Sequence, residues 1–129
     1  MEMGKKIYKV KNLGILIVDS HSIPLRRGTM GISLGHYGFN PLHAYQGSPS
    51  LFGYALGNDK VANMADGLAA AATLAMGEGA EQTPLAIITN VPGIEFGTRR
   101  GRTAFQVPLQ DDIYWPLLKD LSWRKGGKQ

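Results

Sequence analysis

Apolar positions gather into short clusters separated by glycine-rich or charged stretches, and each cluster predicts one element. Ile15, Leu16, Ile17 and Val18 form an unbroken, β-branched-rich run, the pattern of a strand buried on both faces. The spacing predicts that it stops at Asp19 and Ser20, with a Pro24-containing turn leading to Arg26, Arg27 and Gly28. Ahead of it, Ile7 to Val10 alternate weakly with lysines and read as an edge strand that Lys11-Asn12 breaks. After Gly28 the chain is rich in glycine and aromatic residues as far as Gly53. Gly31-Ile-Ser-Leu-Gly35 reads there as a short strand, and Tyr37, Phe39 and Tyr45 as cover for a core edge. Glycines at 28, 31, 35, 38, 47 and 53 mark tight turns or close backbone approach.

The period then changes. From Asp59 to Met76, Ala62, Ala65, Ala69, Ala72 and Met76 recur at helical spacing, and Leu68, Ala71 and Ala75 widen the stripe. Asn58 or Asp59 can cap this helix, and Gly77 and Gly79 can end it. Its small side chains allow a sheet to lie close. Asp66 is the one acid well inside it. Leu85 to Ile88 predicts a second buried strand, and Pro92-Gly93 closes the compact part. Further on, Gly97-Thr-Arg-Arg-Gly-Arg reads as a basic loop. Asp111 to Leu121 reads as a short amphipathic helix with Ile113, Leu117 and Leu121 on one face, packed through Trp115 and Trp123. The expected class is α+β, a mixed sheet with a crossover, one long alanine-rich helix and a glycine-rich insert. The expected division is a domain over 1–96 and a basic extension over 97–129, packed on it and ending in a mobile tail.

Composition narrows the function. With 129 residues, 43% of them hydrophobic, the chain has the make-up of one folded domain. No apolar run approaches the ~20 residues of a membrane span. Met-Glu-Met-Gly-Lys-Lys lacks the apolar stretch of a secretory signal, so the expected compartment is the cytoplasm. There is no cysteine, which excludes disulfides and thiolate metal sites. Residues 1–96 carry seven Lys/Arg and seven Asp/Glu; residues 97–129 carry seven against three and supply the whole net charge of +4. A basic end on a neutral body argues against a surface built to track nucleic acid. Arg99, Arg100 and Arg102 form a cluster that can grip phosphate or RNA, though such charge clusters are more often simply solvated.

Candidate chemistry centres on the end of the first buried strand. A carboxylate and a hydroxyl at Asp19 and Ser20 suit magnesium, a hard cation that prefers oxygen. Arg26 and Arg27 can grip a carboxylate or phosphate bidentately. The same Asp-Ser pair can equally end a strand and cap a turn. His21, His36 and His43 with an aspartate can bind zinc, but their spacing matches no metal motif, and a structural role for them stays open. No Walker or GxGxxG loop is present.

Several blocks in one order carry a resemblance: Val18-Asp-Ser-His-Ser-Ile-Pro-Leu-Arg-Arg-Gly28, Gly31-Ile-Ser-Leu-Gly35, Leu51-Phe-Gly53, Ala65-Asp-Gly-Leu-Ala-Ala-Ala-Ala72 and Met76-Gly-Glu78. Together, over about Leu13 to Phe96, they resemble the carboxyl-terminal half of the coenzyme F-420:L-glutamate ligases. The resemblance implies GTP-dependent addition of glutamate in a γ-linkage, with two divalent cations, magnesium or manganese. It maps metal ligation onto Asp19, Ser20 and Glu78, and nucleotide contact onto the loop with Met76, Gly77, Gly79 and Thr83. Arg26, with Arg27, would steady a small anionic substrate. It further implies a homodimer paired through its sheets, and an amino-terminal ligase half that would have to come from elsewhere. Departures stand at Ser22-Ile23, where the family has Gly-Arg, at Leu25 for its tryptophan, at His43-Ala-Tyr-Gln-Gly47 for Arg-Asp-Tyr-Arg-Gly, and at Ser50 for an aspartate. They leave open a non-catalytic anion- or metal-binding module of the same fold, and a nucleic-acid-associated protein acting through its basic tail.

Overall fold

A computed structural model describes residue 4 and residues 6–7, 9–57, 60–101 and 107–122. Strand β1 (Ile15–Ser22) pairs antiparallel with β2 (Thr29–Phe39), and β2 pairs antiparallel with β5 (Phe96–Gly101), giving the order β1-β2-β5. A second, two-stranded sheet joins β3 (Leu42–Ala44) to β4 (Val61–Asn63), also antiparallel. Helix α1 (Met64–Met76) follows β4 and packs on β2 and β1. A single 3-10 turn (Leu109–Asp111) and the short helix α2 (Trp115–Leu118) lie further along. The α+β class holds. Every pairing among the described strands is antiparallel, so the parallel component of a mixed sheet and its crossover are not found there. A hairpin turn, residues 23–28, makes the first connection instead.

Helix α1 starts five residues later than the alanine spacing predicts, because Val61–Asn63 are used as strand. Asn63 becomes the cap: its side-chain oxygen accepts from the Asp66 N–H at 3.0 Å, satisfying an orphan donor of the first turn. The alternative caps, Asn58 and Asp59, lie outside the described residues. At the other end Gly77 adopts a φ of 84°, and its N–H reaches the Thr73 carbonyl. Ala65, Ala69 and Thr73 form the buried stripe. It lies so close to β2 that a Cβ on Gly31 would sit 2.5 Å from the Ala69 carbonyl oxygen and 2.6 Å from Thr73 Cγ2. The absence of a side chain at residue 31 sets the separation between helix and sheet.

Two strands predicted as buried are not. In β1 only alternate residues are partly covered, and Ile17 is 63% exposed. Residues 85–88 form no strand at all, and Leu85 and Ile87 are 79% and 84% exposed. Other expectations shift as well. Lys6 and Ile7 are helical rather than extended. The basic stretch from Gly97 becomes part of β5 rather than a loop. Ile113, Leu117 and Leu121 are exposed, so the predicted amphipathic face covers nothing among the described residues. Trp115 is half-buried; Trp123 and the terminal residues lie outside the described part.

The core is correspondingly slight. Among the described residues its buried apolar side chains are Phe39, Ala65 and Ala69, with Pro41 fully enclosed. Polar groups share the interior. His36 is buried with its ring edge-on to Phe39, and burial lowers its pKa below the ordinary 6.5. The unfolded chain therefore takes up a proton at His36 before the folded one does. Its contribution to stability is complete above pH 6.5 and drains away as the pH falls from there through the lowered folded value. Urea midpoints measured between pH 7.5 and 5 should fall on acidification, and His36→Phe should flatten that slope.

Candidate functional site

Strand β1 does not stop at Asp19. It continues to Ser22, so Asp19 stands within the strand opposite Ile32, and Ser20 stands opposite Gly31. Directly opposed residues share a face of the sheet, and neighbours along a strand alternate. Gly31 faces α1, so Ser20 lies on the helix side and Asp19 on the other. Both are exposed, and the Asp19 carboxylate accepts from the Ser20 N–H at 2.8 Å. Next along the chain, the turn of residues 23–28 is closed by the Arg26 N–H on the Ile23 carbonyl at 3.2 Å. Leu25 and Gly28 hold positive φ values of 62° and 92° in this turn. Arg26 and Arg27 are exposed on it.

The direction of α1 decides what meets this turn. Its first turn touches β2 at Ser33, and Ala69 and Thr73 touch it at Gly31. The helix thus runs antiparallel to β2 and ends towards the Ser22–Thr29 end of the hairpin. Met76, Gly77, Glu78, Gly79 and Thr83 therefore lie at the same end of the fold as Arg26 and Arg27. Their loop is tied internally. The Thr83 hydroxyl donates to the Met76 carbonyl, and the Gly79 N–H donates to a Glu81 carboxylate oxygen at 2.7 Å. Glu81 also folds back against Gly77, filling the space a Cβ there would need. Glu78 is exposed.

Ser20 and the loop after α1 thus lie on the helix side of the sheet, at the end where the arginine turn joins β1 to β2. Asp19 leaves the opposite face of the sheet. The histidines are dispersed: His21 is exposed opposite Met30, His36 is buried in the core, and His43 packs edge-on against Tyr45 with ring centroids 4.7 Å apart. Among the described residues no three His, Asp or Glu side chains are grouped to hold a metal ion.

Asp66 is the polar residue whose role the spacing did not reveal. One carboxylate oxygen accepts from the Ser33 N–H at 2.8 Å, across 33 positions of sequence, and the other accepts from Asn63 Nδ2 at 2.6 Å. An acid three residues after a capping asparagine was the available signal. It pins the head of α1 to the middle of β2. Thr73, whose hydroxyl bonds back to the Ala69 carbonyl at 3.1 Å, does the corresponding packing at Gly31.

Fold and site together define an α+β domain that offers arginines, hydroxyls and an acid at one end of a hairpin-and-helix layer. The family model described as F420-0:gamma-glutamyl ligase matches residues 2–90. The coenzyme F420:L-glutamate ligase of Methanocaldococcus jannaschii is 39% identical over 117 residues, covering 88% of this chain and 45% of the relative. Those of Methanococcus maripaludis and Methanothermobacter thermautotrophicus are 37% and 38% identical over 112 and 104 residues, covering 85% and 81% of this chain and 44% and 41% of theirs. The chain belongs to the F420-0:gamma-glutamyl ligase family. It spans less than half the length of the curated relatives it matches. No helix among the described residues is long and apolar enough to cross a membrane.

Proposed function

We propose that this chain supplies one half of a γ-glutamyl ligase, which joins the amine of L-glutamate to an acceptor carboxylate at the expense of GTP with magnesium or manganese. The family match over residues 2–90 carries this reading, since it runs through both the Asp19–Gly28 block and the Ala65–Glu78 block. Arg26 and Arg27 are proposed to hold a small anionic substrate, and their exposure on the hairpin turn supports this. Met76, Gly77, Gly79 and Thr83 are the proposed nucleotide contacts. Asp19, Ser20 and Glu78 are proposed as oxygen ligands of the cation. A divalent cation bound there would neutralise phosphate charge. The proposed assembly is cytoplasmic and contains two copies of this half.

Isothermal titration of magnesium-GTP tests the reading. Heat should appear with the wild-type chain and be lost in Asp19→Ala. Absence of heat from the wild type, or an unchanged signal in Asp19→Ala, would count against it. One observation favours a second reading, a binding module without catalysis: Asp19 and Glu78 lie in different layers of the fold. That module would bind magnesium-GTP and yet form no glutamyl product when the missing ligase half is added.

A further inference from the structure

Pro84 to Val91 has the chemistry of a strand and the surroundings of none. Leu85, Ala86, Ile87 and Ile88 form a second apolar, β-branched-rich run, but their backbone groups make no hydrogen bond among the described residues. Leu85 and Ile87, two residues apart, are almost wholly exposed. Both ends of the segment are nonetheless anchored. Upstream, the Thr83 hydroxyl is bonded to the Met76 carbonyl at the end of α1. Downstream, Gly93 abuts the His43 ring, and Asn40 donates to Glu95 through its backbone N–H at 2.8 Å and through its side chain at 3.1 Å. Between these ties the donors and acceptors of Leu85 to Ile88 stand open among the described residues, the state in which a segment accepts another strand.

We infer that residues 84–89, which stop short of the left-handed Asn90 (φ 57°), are a docking strand, completed by strand addition from the part of the ligase fold that this chain does not span. This rests on the reading of the chain as one half of a ligase. Length and surface choose this occupant over a second copy. The relatives carry on one polypeptide more than twice the length matched here. The exposed apolar surface among the described residues is distributed. Ile15 and Ile17 on β1, Leu51 and Phe52 at the tip of the β3–β4 connection, and Leu85 and Ile87 form separate exposed groups. A second copy adding one strand would cover only the last of these. A domain-sized partner reaches all three, as when a core is divided between two chains.

The test uses the part of the M. jannaschii ligase outside its matched 117 residues, produced as a separate polypeptide and mixed with this chain. Light scattering should report a one-to-one complex. Amide exchange at Leu85 to Ile88 should slow by about tenfold or more on mixing. Ile87→Asp, at a position too exposed to matter for folding of the chain alone, should weaken the complex by a similar factor. Three results would overturn the inference: no complex, a complex in which these amides exchange as fast as before, or a homodimer of this chain alone that already protects them. Magnesium-GTP titration of the chain alone separates this from the functional reading. Heat without a complex leaves the ligase reading standing and removes the docking strand; a protecting complex without heat does the reverse.

Discussion

Gly31→Ala is expected to destabilise the fold by about 3 kcal/mol, the upper range for forcing a methyl group into a packed interior. The new Cβ would meet two different obstacles. One is the Thr73 side chain, which can be shortened; the other is the Ala69 carbonyl oxygen, 2.5 Å away, which is backbone and cannot be. The helix would have to lift from β2 along the stripe that supplies most of the core. Urea unfolding monitored by circular dichroism measures the loss. Thr73→Ala in the Gly31→Ala background should recover only part of it, because the carbonyl contact remains. Full recovery would show that the side chain alone sets the spacing.

Asp66→Ala should cost about 2 to 3 kcal/mol, combining an unpaired, partly buried N–H at Ser33 with loss of a favourable charge in the first turn of α1. Asp66→Asn separates the two effects. It keeps one oxygen for Ser33 but presents an amide nitrogen to Asn63 Nδ2, also a donor, where the carboxylate oxygen now accepts at 2.6 Å. The expected order of stability is wild type, Asn, then Ala. Amide exchange at Ser33 should accelerate in Asp66→Ala more than at its neighbours along β2, since among backbone N–H groups of that strand only Ser33 loses its acceptor.

Helical periodicity was legible because alanine at every third or fourth position has no other use, and α1 lies where it pointed. Its start was not, since Val61–Asn63 are claimed by Leu42–Ala44, a pairing across sequence that no local spacing encodes. Of the two apolar runs read as buried strands, Ile15–Val18 is a strand with only alternate residues partly covered, and Leu85–Ile88 is neither strand nor buried. Hydrophobicity states that cover is needed, not which polypeptide brings it. The candidate site divides in the same way. Residue type and order marked Asp19, Ser20 and the arginine turn. The faces they occupy depend on β1 running three residues beyond Asp19, to Ser22, and on the register that sets Ser20 opposite Gly31. Neither was visible in the motif.

Among the described residues, strand β1 lies at the margin of its sheet, paired with β2 on one side only. Its Ile15–Val18 run is uncharged and free of proline, so the open side is a template for stacking between molecules. Kept without its complement, the chain carries its own route to fibre formation. Its shelf life in concentrated solution is then governed by that ribbon of unsatisfied amides rather than by the melting of the helix.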